Sequence, residues 1–153
     1  MTTVEEKLKR RGYELPEAAA PLASYVPFVK TRNLLFVSGQ LPMLDGEITQ
    51  GILGDTMSTE EGAKAAELCA VNIVAQLRKA LDGDFGRIRD IVKLEGFVAC
   101  TPSFTEHPEV INGASDLIAE LFCSRGQHSR TAVGVSSLPR GAAVEVAAIV
   151  SID

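Results

Sequence analysis

The stretch Ala142–Ile152 is apolar on both alternations: Ala143, Ala147 and Ile149 fall on one, Val144, Val146, Ala148 and Val150 on the other, with Glu145 the single charge among them. A strand that alternates apolar and polar can leave one face wet, but a strand apolar on both needs a layer on each side. The rest of the chain must therefore supply covers for two faces of whatever sheet this strand joins.

The remaining segments offer too few. Thr3 is a plausible N-cap for a short helix over 2–11, with Val4 and Leu8 on one face. Leu15–Leu22, with Pro16, Pro21 and an Ala run, reads as extended connection. Tyr25–Val29 and Leu34–Ser38 are β-prone runs around Lys30–Asn33, which predicts a hairpin, and Asp45-Gly46 is a tight-turn signal before Glu47 and Ile48. Ser58-Thr59-Glu60-Glu61 is a capping box opening the longest helix, which runs to about Asp82 and stops at Gly83. A strand is predicted over Ile91–Cys100, ended by Pro102, then a second helix from Ser103 or Thr105 through Cys123 despite Gly113. Val133–Ser137 and Ala142–Ile152 read as a closing hairpin around Leu138–Gly141. The order is α+β, with two helices on one face of a mixed sheet. Nothing is left to cover the other face, so burial against identical subunits is expected and the chain reads as a homo-oligomer.

Length and composition narrow the function. A chain of 153 residues fits one domain. A net charge of −5 argues against a phosphate-backbone partner, so no nucleic acid is expected. Cys69, Cys100 and Cys123 are widely spaced with apolar neighbours, which suggests packed, reduced thiols. With His107 and His128 standing alone in the sequence, no metal site is expected. No cofactor is expected either, since nothing resembles a dinucleotide fingerprint or a phosphate-binding loop. The amino terminus has mixed charge and no apolar run, and no stretch approaches a membrane span, so the reading is a cytoplasmic protein with no membrane partner.

Arg130 stands where the strand before Leu138 begins, at the edge of an otherwise small and apolar segment. A guanidinium there must meet an anion, a set of carbonyls or water. An ion pair to Glu145 or Asp116 is one reading, and a ligand carboxylate is the other.

Tyr25-Val26-Pro27-Phe28-Val29, Asn33 through Pro42 with its Ser38-Gly39-Gln40-Leu41-Pro42 core, Ile91-Val92-Lys93-Leu94, Asn112, Ser129-Arg130-Thr131-Ala132-Val133, Leu138-Pro139 and Val144-Glu145-Val146 together resemble the Rid, or YjgF-type, reactive-intermediate deaminase family. The resemblance spans residues 22–153 and leaves 1–21 as a peripheral extension with a short helix. It implies a chorismate-mutase-like fold, a homotrimer with clefts between neighbouring subunits, and hydrolysis of enamine/imine products such as 2-aminoacrylate to 2-oxo acids and ammonia. By the same resemblance Arg130 binds the substrate carboxylate, Tyr25 lines the cleft and Asn112 matches a helix asparagine. Tyr25 also reads as a strand tyrosine with a wet hydroxyl, and Asn112 as a residue tying down a loop. Ser38 and Gly39 offer a hydroxyl and close backbone approach, and the backbone near Gly39 and Ala132 is placed to hold the imine end.

Two positions depart from the family pattern. Ala147 stands where many deaminating members carry a second acidic residue thought to hold the hydrolytic water, and Ala132 replaces a cysteine. Alanine accepts no proton. Two functions remain open: imine hydrolysis with Arg130 as the essential catalytic residue, and capture of a small 2-oxo acid or related carboxylate without turnover. Endoribonuclease activity, attached to some members, ranks last. His128 reads as a solvated or interface histidine, and Glu95 and Glu145 are not paired as acid and base.

Overall fold

The computed structural model describes residues 1–153. Thr3 caps the first helix, α1 (Val4–Arg10), in a reciprocal box: its hydroxyl accepts from the Glu6 amide while the Glu6 carboxylate accepts from the Thr3 amide. A seven-residue helix is too short to persist alone, so packing must hold it. The amino-terminal segment, expected as a peripheral extension, contributes Val4, Leu8 and Tyr13 to the hydrophobic core.

Strands β1 (Phe28–Thr31) and β2 (Leu34–Gln40) form the predicted hairpin. The first begins three residues later than expected because Pro27 has no N–H for the ladder, which leaves Tyr25 in the connection before it. Asp45 and Gly46, both at positive φ (52° and 80°), join β3 (Met43–Leu44) to β4 (Glu47–Ile48) as a separate two-stranded ribbon. Helix α2 (Thr59–Ala80) starts at the Ser58 capping box and ends before Asp82 and Gly83. Strand β5 (Ile88–Ala99) follows, then α3 (His107–Phe122), β6 (Ser129–Val135) and β7 (Val144–Ile152). Pro108 in its first turn delays α3 relative to the predicted start at Ser103 or Thr105.

The main sheet has the order β1-β2-β7-β5-β6, and its one parallel pair is β5 with β6. The expected closing hairpin does not form. Helix α3 carries the chain back over the sheet, so β6 leaves parallel to β5, and β7 then crosses to pair antiparallel with both β2 and β5. Strand β7 is the one apolar on both alternations and takes the centre, while the more exposed β6 takes the edge.

Both α2 and α3 cover one face, where Leu35, Val37, Leu94, Val98, Val144, Val146, Ala148 and Val150 are buried. Two glycines permit that closeness: a Cβ at Gly96 of β5 would come within 2.6 Å of Ile111, and one at Gly113 would collide with the Ala63 carbonyl. The opposite face has no cover within the chain. Val29, Phe36 and Val133 are exposed on it, and Phe97, Ala147 and Ile149 only partly shielded.

Candidate functional site

The register of β6 with β5 sets Arg130 beside Leu94 on the helix-covered face, at the sheet edge. Its guanidinium reaches α3. Nη1 donates to the Asn112 side-chain oxygen at 2.8 Å and to Ser115 Oγ at 3.2 Å, and Nη2 donates to the Pro108 carbonyl at 3.3 Å. Asn112 is thus joined to Arg130 of strand β6 and not to a loop. A second tier fixes Ser115. His128 Nδ1 lies 2.6 Å from the Gly126 carbonyl, which can only accept, so that nitrogen carries the proton. In the neutral ring Nε2 then accepts from the Ser115 hydroxyl at 2.8 Å, which leaves the hydroxyl oxygen to accept from Arg130.

All three acceptors around Arg130 are neutral. The ion pair to Glu145 or Asp116 is absent: Glu145 lies opposite Phe97, which pairs with Val133, so it belongs to the uncovered face of the sheet. A guanidinium positioned without a carboxylate keeps its charge and its remaining donors for an anion.

The other predicted residues gather elsewhere. Tyr25 and Gly39 line a cavity of about 420 Å³ whose wall is largely apolar, with Leu22, Leu41 and Met43 among its contributors and Arg140 and Glu145 as its charges. Arg130, Asn112, Ala132 and Ser38 are outside that lining. Ser38 supports the cavity from behind. Its hydroxyl donates to the Val26 carbonyl at 2.8 Å and its amide to the Pro27 carbonyl at 2.9 Å, which holds the segment bearing Tyr25.

Buried amides of α2 shape the cavity. Asn72 Nδ2 donates to the carbonyls of Leu41 and Met43, and Gln76 Nε2 to that of Ala19, while Arg78 donates to the Pro16 carbonyl. The Gln76 and Arg78 bonds give the extended segment around residues 16–19, which has no strands beside it, fixed partners for its carbonyls. Asn72 and Gln76 went unremarked in the sequence, although two amides four apart in an otherwise apolar helical run are the signal that they bond inward.

Glu145 is partly buried, and burial alone pushes its carboxyl up, with no hydrogen bond or ion pair acting against it. Gly39 gives it room, since a Cβ there would come within 2.7 Å of the Glu145 carboxyl carbon. Arg140 holds φ at 61°, a conformation costly for a residue with a side chain, at the cavity rim.

His107 and His128 are not isolated, contrary to expectation. His107 Nε2 is 3.4 Å from Cys100 Sγ, with the Phe104 ring edge-on to the imidazole, and His128 belongs to the tier behind Arg130. The sequence hides these pairs because the connection from Cys100 at the end of β5 to the start of α3, and the Cys123–Gly126 turn before β6, bring them together rather than any metal-ligand spacing. No group of three or more His, Cys, Asp or Glu side chains is arranged to hold a metal ion. No helix is long and apolar enough to cross a membrane.

Residues 5–149 match the family described as "YjgF/chorismate_mutase-like, putative endoribonuclease". The chain is 49% identical over 152 residues to Protein TCP17 of Trypanosoma cruzi, covering 98% of this chain and 94% of that one. It is 25% identical over 146 residues to a 2-iminobutanoate/2-iminopropanoate deaminase of Dermatophagoides farinae, covering 94% and 98%. Among solved structures, Atu1372 from Agrobacterium tumefaciens, a protein of unknown function, superposes with a TM-score of 0.93 at 51% identity over 99% of this chain and 94% of that one.

Proposed function

We propose that this chain, which belongs to the YjgF/chorismate-mutase-like (Rid) family, hydrolyses small enamine/imine carboxylates of the 2-aminoacrylate class to 2-oxo acids and ammonia. The observation that carries this reading is Arg130, a fixed guanidinium whose three protein partners are all neutral. A planar fork held in this way matches a ligand carboxylate and stays charged at any working pH. The relative from Dermatophagoides farinae, named as a deaminase of 2-iminobutanoate and 2-iminopropanoate, supports the substrate class.

In one chain Arg130 and the cavity of Tyr25 and Gly39 are separate, so the site we propose is completed by a second copy. The uncovered sheet face, with Val29, Phe36 and Val133 exposed, supports closure of three copies around it. Arg130, steadied by Asn112, then clamps the carboxylate over the cavity of a neighbour; the Gly39 backbone of that cavity and the Ala132 backbone beside Arg130 hold the imine end from the two sides, and Tyr25 of the cavity forms a wall. Fixing the carboxylate leaves one rotational arrangement for the imine carbon, so a positioned water needs little further activation.

A second reading, a trimer that binds a small 2-oxo acid without converting it, is favoured by Ala147 and Ala132, neither of which can move a proton. RNA cleavage stands behind both, because a chain of net charge −5 lacks the cationic surplus that a phosphate backbone rewards.

One experiment separates them. A serine or threonine dehydratase is run with and without the protein, and calorimetry with 2-oxobutyrate is run in parallel. Faster oxo-acid release that disappears in Arg130→Ala supports hydrolysis. Binding heat without acceleration supports the second reading, and neither signal rejects both.

A further inference from the structure

The hydrogen bonds that Arg130 donates all run to one helix. Their acceptors, Pro108, Asn112 and Ser115, follow one another along α3, and they use both hydrogens of Nη1 and one of Nη2. Pro108 and Asn112 stand one helical turn apart, so their oxygens meet the end of the fork together. The Nε hydrogen and the other Nη2 hydrogen are left on the edge that faces away from α3, where a carboxylate can be met side-on. What holds the Nη1 end therefore decides which edge a ligand finds.

Of the three acceptors, the Ser115 hydroxyl is the one free to turn about its own bond, and it is also the one with a partner behind it. That partner is His128, two residues before Arg130 in the chain. Its ring spans from the Gly126 carbonyl, 2.6 Å from Nδ1, to Ser115 Oγ, 2.8 Å from Nε2. Both ends of the span rest on α3. Gly126 is pressed so closely against that helix that a Cβ there would come within 2.6 Å of the Ile118 carbonyl oxygen and 3.0 Å of Ala119 Cα. The residue after His128 is tied to the sheet, since the Ser129 hydroxyl donates to the Val92 carbonyl of β5 at 3.0 Å. With Nδ1 committed as donor, Nε2 draws the Ser115 hydrogen to itself and turns the oxygen lone pairs toward Arg130.

We infer that His128 is a positioning residue for the carboxylate clamp and that it acts through Ser115. A turn anchor would need only the Gly126 contact; the second nitrogen is aimed at the one hydroxyl that touches the guanidinium. The inference rests on the reading of Arg130 as the group that binds the ligand carboxylate, and it holds for hydrolysis and for capture without turnover alike. It adds a residue to that site which touches neither ligand nor guanidinium.

The test measures 2-oxobutyrate affinity by calorimetry, with KM and kcat in imine hydrolysis, for wild type, Ser115→Ala, His128→Phe, the double variant and Ser115→Thr. Arg130→Ala is the reference. The clamp holds ground and transition states alike, so Ser115→Ala should weaken binding and raise KM by about tenfold with kcat within about twofold of wild type. His128→Phe keeps a ring and removes both nitrogens, and should weaken binding by about three- to tenfold. A group that acts through Ser115 has nothing to act on once that hydroxyl is gone. The double variant should therefore bind within about twofold of Ser115→Ala, whereas two independent effects would multiply. Ser115→Thr keeps the hydroxyl and should stay within about twofold of wild type. Losses that multiply in the double variant, a Ser115→Thr protein as weak as Ser115→Ala, or single variants that bind like wild type while Arg130→Ala does not, overturn this inference alone. Binding that Arg130→Ala retains, or no binding by wild type, overturns it together with the reading of Arg130 as the clamp.

Discussion

The Asn112 side-chain oxygen accepts a 2.8 Å hydrogen bond from Arg130 Nη1, and that oxygen belongs to an amide rather than a carboxylate. One atom decides the electrostatics. Asn112→Asp keeps the geometry and gives Arg130 a charged partner at the surface, an exchange worth about 0.5–1 kcal/mol in favour of folding. It should also compete with any ligand carboxylate for the same donors. The expected outcome is an equal or higher melting temperature with at least about tenfold weaker binding of 2-oxobutyrate by calorimetry, equivalent to about 1.4 kcal/mol. Unchanged affinity would remove Arg130 from the ligand site.

How much of this is legible in the sequence depends on whether the cause is local. The capping box at Ser58 and the tight turn at Asp45-Gly46 depend on neighbours within four residues, and both stand where the pattern puts them. The β6–β7 hairpin does not form because strand adjacency is decided by burial across the whole sheet: β7 could not be left at an edge beside β6 with two apolar alternations to cover. At the site, Arg130 and Asn112 are readable together from their family pattern. The cavity is not, since Leu15–Ala23 carries no periodicity and is held by Gln76 and Arg78 from a distant helix. Glu145 reads in the sequence as one charged strand residue among others, because its want of a partner is a fact of three dimensions.

Phe36 lies opposite Ile149 on the uncovered face and is 41% exposed. Its contribution to folding of the single chain is therefore limited, and Phe36→Glu should cost about 1 kcal/mol or less. A charge in the middle of that face is far more damaging to association. Analytical ultracentrifugation should show wild type as a trimer and Phe36→Glu as a monomer that retains its far-ultraviolet circular dichroism, with imine hydrolysis lost because the two half-sites no longer meet. A monomeric wild type, or a monomeric variant with full activity, contradicts the shared cleft.

Glu67 ties the amino-terminal segment to α2, accepting from Tyr13 Oη at 2.6 Å, from Lys64 Nζ at 2.8 Å and from Arg11. Burial pushes its carboxyl up, but the hydrogen bonds from Lys64, Tyr13 and Arg11 outweigh burial and leave it below its ordinary value. A depressed folded value means that the stabilisation is complete above the unfolded value and is lost as pH falls through the folded one. Arg11 and Lys64 are substantially exposed, so solvent discounts the pairs, and Glu67→Gln should cost about 2 kcal/mol at pH 7. Melting curves from pH 7 down to pH 3 should bring the two proteins together, since acid removes from wild type what the substitution has already removed.

The three thiols should separate by rate, and the order tests what the Cys100–His107 contact does. Cys123 is exposed, Cys100 partly buried and Cys69 fully buried, where burial pushes its thiol well up. Reaction needs the thiolate and access, so iodoacetamide at pH 8 should label Cys123 first, Cys100 second and Cys69 only on unfolding. At Cys100 two effects oppose each other. An imidazolium beside the sulfur would stabilise the thiolate and speed labelling, whereas the ring also shields the sulfur from reagent. Burial raises the Cys100 thiol, with the Val135 backbone only partly offsetting it, so the protonated form prevails and shielding wins. His107→Ala should therefore label Cys100 several-fold faster than wild type, read by mass spectrometry of the labelled peptides. Slower labelling in that variant would make the pair an activated nucleophile and reverse the assignment.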